Sequence, residues 1–123
     1  VVYGSRVLNY KNRYSATNSF TSTLRIFGNH VLTVFSNIIN KQNLTDAHTC
    51  YKVFKSSVVN KINLKHNGFS FCPEITTKIS NIGEKIIEVP INYKGRSFAE
   101  GKKISITDAF IAFFTILKFK ILK

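Results

Sequence analysis

The stretch "PEITTKISNIGEKIIEVPINYKGRSFAEGKKI", residues 73–104, holds a helix, a strand and a loop in succession. Pro73 suits a first helical position, Glu74 the positive end of a helix, and Gly83 the residue just past its end, which predicts a helix from Pro73 to Ile82. Glu88, Pro90, Asn92 and Lys94 then alternate with Val89, Ile91 and Tyr93, the period-two pattern of a half-buried strand. A helix feeding a strand in this way belongs to the α/β class. The strand leads into Arg96, Lys102 and Lys103 spaced among Gly95, Ser97, Ala99 and Gly101. A two-pronged cation and two point charges on a backbone that glycines leave open suit a phosphate or diphosphate. The loop is not a Walker loop, since the Ser or Thr after the lysine is missing, and a solvated turn is the plainer reading of the same residues.

Outward from this stretch the pattern continues. "VVYGSR" (1–6) reads as a strand entering a polar turn, and residues 8–23 as a polar loop without apolar period. From Leu24 to Ile39 the residues Leu24, Phe27, Val31, Val34, Phe35 and Ile38 recur at helical spacing, with Asn29, Thr33, Ser36, Asn37 and Asn40 opposite. "TCYKVFK" (49–55) predicts a short strand, "SSVVNKI" (56–62) a helical turn or two capped by serine, and "GFSF" (68–71) another short strand. Ser105 or Thr107 can cap a last helix whose segment "AFIAFFTIL" (109–117) is apolar on every side before Lys118, Lys120 and Lys123. Nine such residues are too few to cross a bilayer, which takes about 20, but suffice for a core or a membrane interface.

The 123 residues are the size of one domain. Eighteen Lys and Arg against six Asp and Glu leave a net charge of +12, which implies a polyanionic partner: nucleic acid, an anionic membrane or a phosphorylated ligand. Cys50 and Cys72 have no C-x-x-C pairing, so neither a disulfide scaffold nor a zinc knuckle is indicated, and a reducing compartment is the simplest setting. The chain opens on Val1 without the features of a signal peptide and reads as a fragment whose beginning is missing.

Among single residues, Asp46 in "LTDAHTCYK" (44–52) lies between an amphipathic helix and a strand, where α/β sheets place ligand-binding loops; its plainer role is a turn cap. Glu74 is a carboxylate that either does chemistry or complements a helix N-terminus. His30, His48 and His66 with Cys50 and Cys72 lack ligand spacing for a metal.

Taken in order, "VVYGSR", "NLTDAHTCYKVFK", "FSFCPEITTKI" and "EVPINYKGRSFAEGKKI" resemble the C-terminal half of family 2 glycosyltransferases, in the branch of the polyprenyl-phosphate (dolichyl-phosphate) mannose and glucose synthases. The resemblance runs over essentially the whole chain. It implies a GT-A fold, a Rossmann-like mixed α/β sandwich, and transfer of a sugar from a nucleotide-sugar donor to a polyprenyl or dolichyl phosphate at the cytoplasmic face of a membrane. It also implies Mg²⁺ or Mn²⁺ held by an Asp-x-Asp motif. No Asp-x-Asp occurs in these 123 residues, so the metal ligands are expected in a missing N-terminal half.

By the same resemblance Ser5 and Arg6 end the strand that approaches sugar and acceptor, Asp46 is the acidic position on the acceptor side, and Thr49, Cys50, Tyr51 and Lys52 follow it. Arg96 corresponds to the arginine after the E-V-P-I strand, with Lys102 and Lys103 in a basic loop over phosphates. The expected roles are catalytic for Asp46 and Arg96, and phosphate or substrate binding for Ser5, Arg6, Thr49, Lys52, Arg96, Lys102 and Lys103. Residues 24–40 resemble an amphipathic interface helix and 107–123 form a basic juxtamembrane helix within one partial domain. The alternative is a catalytically incomplete remnant, or a basic membrane- or nucleic-acid-binding module. Most aromatics lie in apolar stripes rather than among cations, which argues against a stacking platform for bases.

Overall fold

The computed structural model describes residues 1–8, 20–92 and 106–122. Three strands, β1 (Val2–Ser5), β2 (Lys52–Val53) and β3 (Ile87–Pro90), form a mixed sheet in the order β2-β1-β3. β2 runs antiparallel to β1, with Tyr3 opposite Lys52, and β3 runs parallel to it, with Tyr3 opposite Glu88 and Ser5 opposite Pro90. Four helices accompany the sheet: α1 (Phe20–Asn40), α2 (Ser56–Val59), α3 (Phe71–Asn81) and α4 (Ile106–Ile121). The architecture is mixed α/β, as the sequence predicts.

The core joins one face of the sheet to α3. Tyr3, Leu44, Ala47, Val58, Ile75 and Ile79 are buried together, and the Tyr3 hydroxyl meets Thr76 Oγ1 at 3.0 Å. Burial, more than that hydrogen bond, sets the Tyr3 phenol, which is pushed well above its ordinary range. A second layer forms where α4 packs on α1 and α3, with Phe35 and Phe113 stacked at 4.2 Å and Ala112, Ile116 and Phe119 buried.

The C-terminus of α3 follows the sequence closely. Gly83 adopts φ +77°, the Gly83 N–H donates to Ser80 O and the Glu84 N–H to Ile79 O, the paired bonds of a Schellman motif. Its N-terminus does not. Residues 68–70 form a 3₁₀ turn that runs into α3 at Phe71 rather than the expected strand over 68–71, because Gly68 takes φ +69° and breaks extension. Pro73 therefore stands inside the first turn, where its missing N–H costs no helical bond.

Four further expectations need correction. The strand over 49–55 shrinks to Lys52–Val53, the two residues in register with β1. α2 carries no serine cap: Lys55 holds the cap position. α1 starts at Phe20, inside the expected polar loop, and α4 contains Thr107, which is thus no cap; the rest of that loop and Ser105 lie outside the described residues.

Periodicity alone leaves open which face is buried. On β3 Ile87 and Val89 are exposed while Glu88 turns inward. On α1 Thr33, Ser36 and Asn40 are buried, while Phe27, Val31, Val34 and Ile38 are exposed, Phe27 at 64% and Ile38 at 70%. Polar side chains face the fold in both elements because they hold backbone or one another: Asn40 Nδ2 donates to Ser36 Oγ and Thr77 Oγ1, and the Ala47 N–H donates to Thr33 Oγ1.

Gly4 is the tightest point of the sheet. A Cβ there would lie 2.7 Å from Ile91 Cγ2 and 3.0 Å from Tyr51 Cβ. Gly4→Ala is expected to destabilise the fold by about 1–3 kcal/mol through overpacking, read as a lower urea midpoint at unchanged slope. An unchanged midpoint would mean that Ile91 yields freely.

Candidate functional site

The sheet assembles a polar cluster at the C-terminal end of its parallel strands, where open α/β sheets bind ligands. β1 delivers Ser5 and Arg6, the segment after α1 delivers Thr45 and Asp46, and β3 delivers Glu88. Arg6 grips Asp46 with both prongs, Nε to Oδ2 at 2.6 Å and a terminal guanidinium nitrogen to Oδ1 at 2.8 Å, and its backbone N–H adds a third bond of 3.1 Å. Ser5 Oγ and Thr45 Oγ1 are 2.6 Å apart, and Asn29 Nδ2 reaches Asp46 Oδ1 at 3.4 Å. Burial favours the neutral acid at Asp46, but the bonds and charge of Arg6 outweigh it and hold the carboxyl below its usual range. Asp46 is a fully buried anion committed to Arg6.

Glu88 fixes the Asp46 segment from the other side. Its carboxylate accepts the N–H of Thr45 at 2.9 Å, the N–H of Asp46 at 2.9 Å and the Thr45 hydroxyl at 2.9 Å. Sequence reasoning placed Glu88 merely among the polar positions of a strand, and nothing in the local pattern separates an inward glutamate from an outward one. Its one signal is scarcity: it is one of six acids in a strongly basic chain.

The remaining predicted residues divide. Thr49 is buried and its hydroxyl accepts the Tyr51 N–H at 3.2 Å. Lys52 points inward: its ammonium donates to the carbonyls of Ala47 and Thr49 and lies 4.2 Å from the centre of the Tyr3 ring. Burial leads in lowering the Lys52 ammonium, against the pull of Cys72 and Asp46. The structure thus brings Ser5, Arg6, Asp46, Thr49 and Lys52 into one neighbourhood, with Lys52 bracing it. Arg96, Lys102 and Lys103 lie outside the described residues.

His48 sits in the same segment with both ring nitrogens buried and without a hydrogen-bond partner among the described residues. Burial first, then the charge of Lys52, pushes its imidazole down to about 4, against the opposing pull of Asp46. In the unfolded chain the ring titrates near its ordinary 6.5, so between about pH 6.5 and 4 the unfolded state binds the extra proton and folding weakens as pH falls. His48→Gln is expected to flatten that part of a urea-midpoint profile. A profile with the same slope would exclude the ring as its source.

Glu74 is also fully buried, but it serves the fold. It accepts the N–H groups of Lys65 and His66 at 2.8 Å each, His66 Nδ1 at 3.0 Å and Lys78 Nζ at 2.6 Å. Burial pulls its carboxyl up, and these donors, Lys78 first, bring it below its usual range.

No three His, Cys, Asp or Glu side chains among the described residues form a group able to hold a metal. Both Asp46 oxygens are occupied by Arg6. Mg²⁺ or Mn²⁺ therefore does not fit here.

Two packed helices carry apolar stripes outward: Phe27, Val31, Val34 and Ile38 on α1, and Phe110, Ile111, Phe114 and Ile121 on α4, with Phe114 65% exposed. Among the described residues no helix is long and apolar enough to cross a membrane.

Compared with protein-family models, with curated proteins and with solved structures, the chain has no match.

Proposed function

We propose that this chain is the acceptor-side half of a family 2 glycosyltransferase with a GT-A fold, moving a sugar from a nucleotide-sugar to a polyprenyl or dolichyl phosphate at the cytoplasmic face of a membrane. The observation that supports this reading is convergence. The four stretches that resemble the family are far apart in sequence, yet Arg6 binds Asp46, Glu88 binds the backbone of Thr45 and Asp46, and Cys72 lies against the carbonyls of His48 and Thr49.

A lipid phosphate, with a second pKa near 6, is already ionised at neutral pH and needs little base catalysis. The barrier comes from bringing that anion beside a nucleotide diphosphate. Arg96, Lys102 and Lys103, which follow β3 in the sequence, would offset the repulsion and stabilise the leaving diphosphate. The Arg6–Asp46 pair would orient sugar or acceptor, and Mg²⁺ or Mn²⁺ would draw its ligands from outside these residues. The outward stripes of α1 and α4, with Lys118 and Lys120 in the last turn of α4, suit an anionic membrane interface.

The test is transfer of radiolabelled sugar from a panel of nucleotide-sugars to polyprenyl phosphate, with Mn²⁺, by the full-length parent beside this chain alone. Transfer by the parent only is the expected result, and Arg96→Ala in the parent should lower it by on the order of 100-fold. No transfer from any donor would sink the reading, and salt-sensitive retention on DNA but not on lipid vesicles would replace it with nucleic-acid binding.

A further inference from the structure

Both cysteines are free thiols. Cys72, at the start of α3, places its sulfur 3.8 Å from the carbonyl oxygens of both His48 and Thr49. The residue after Thr49 is Cys50, which is exposed. Lys52 is close by: its ammonium donates to the Thr49 carbonyl that the Cys72 sulfur also approaches, and its charge draws the Cys72 thiol down against burial. A solvent-reachable thiol thus has a second, sheltered thiol beside its own backbone and a cation at hand.

We propose that Cys50 and Cys72 are a redox pair, closed by peroxide into a disulfide that ties the Asp46 segment to the first turn of α3. The exposed Cys50 thiolate attacks the peroxide O–O bond, yielding Cys50 sulfenic acid and hydroxide. The Cys72 sulfur then attacks the Cys50 sulfur, forming S–S, and the sulfenic oxygen leaves as water with the Cys72 proton. Two thiols are oxidised by two electrons and hydrogen peroxide is reduced to two waters.

The sheltered thiol suits the second step. Burial pushes the Cys72 thiol up, so it is spared direct oxidation, while the charge of Lys52 favours the thiolate that attacks the Cys50 sulfenic acid. A disulfide needs the two β-carbons within about 4.5 Å, so closure pulls Cys50 toward α3 and displaces Lys52 from the Thr49 carbonyl, where Cys72 and Lys52 meet. Oxidation would therefore rearrange the segment that carries Asp46. Reduction by a cellular dithiol or glutathione would reopen it.

The experiment treats the chain with one equivalent of hydrogen peroxide at neutral pH, in native buffer and in denaturing urea, followed by alkylation and peptide mass spectrometry. The expected product in native buffer is an intramolecular Cys50–Cys72 peptide, reversed by dithiothreitol and formed about tenfold faster than in urea because folding raises the effective concentration of the pair. Cys72→Ser is expected to leave Cys50 advancing to sulfinic acid or to intermolecular dimers. Equal rates in native buffer and urea, or native oxidation that yields only dimers or overoxidised Cys50, would overturn the assignment. Because the readout is covalent, it stands or falls independently of any transferase activity.

Discussion

Asp46→Ala is expected to cost about 3 kcal/mol of folding stability, a fall in Tm on the order of 10 °C. The side chain is fully buried and its two oxygens receive three bonds from Arg6 and one from Asn29. Truncation takes the carboxylate from a guanidinium that is only one-quarter exposed, and removing one partner of a buried pair costs more than the pair itself contributes. Arg6→Ala should cost a comparable amount, because it leaves the fully buried Asp46 carboxylate with only Asn29 and a backbone N–H as donors. The double variant should recover part of the sum, and the cycle gives the coupling directly. Strict additivity of the two single losses would show that the pair does not act as a unit. In the proposed transferase the same variant should lose activity beyond its loss of folded protein.

Glu74→Gln carries the second large effect, on the order of 2–4 kcal/mol. The carboxylate is buried under four donors, and two of them are the backbone N–H groups of Lys65 and His66, which fix the loop entering α3. An amide presents one oxygen where the carboxylate presents two, so a donor from that loop or Lys78 must go without. Hydrogen exchange at the Lys65 and His66 amides should accelerate more than exchange in the centre of α3. Uniform acceleration throughout would mean a global effect with no specific role for the loop. The Glu74 and Asp46 carboxyls are both held below their ordinary values in the fold, so each contributes stability above its unfolded value and loses it as pH falls through its folded one. With His48 titrating first, acid unfolding should begin in the 6.5-to-4 window and steepen below it.

Elements with strong local punctuation were legible from residues alone. Gly83 ends α3 through its positive φ, and "VVYGSR" and the helical period of residues 24–39 each produce the element they suggest, because turn chemistry and periodicity act within a few residues. The 68–71 segment failed for the converse reason: one residue, Gly68, outweighs the β-propensity of its neighbours by taking a backbone conformation that no strand contains.

Orientation was not legible. Period two located β3 and period 3.6 located α1, but each pattern says only that two faces differ. On β3 Glu88 faces the fold because the Thr45 and Asp46 amides need an acceptor there; on α1 Thr33, Ser36 and Asn40 face it because Ala47 and Thr77 meet them, which leaves Phe27 and Ile38 outside. The candidate site divides in the same way. The residues alone fixed the basic charge, the α/β class and the course of α1, α3, β1 and β3, and the family resemblance pointed to Ser5, Arg6, Asp46, Thr49 and Lys52. Only the tertiary structure decided that Asp46 is spoken for by Arg6, that Lys52 braces rather than reaches outward, and that Glu88 belongs with them. The assignments of Asp46 and Glu88 depend on partners some forty residues away, whose proximity no local propensity encodes.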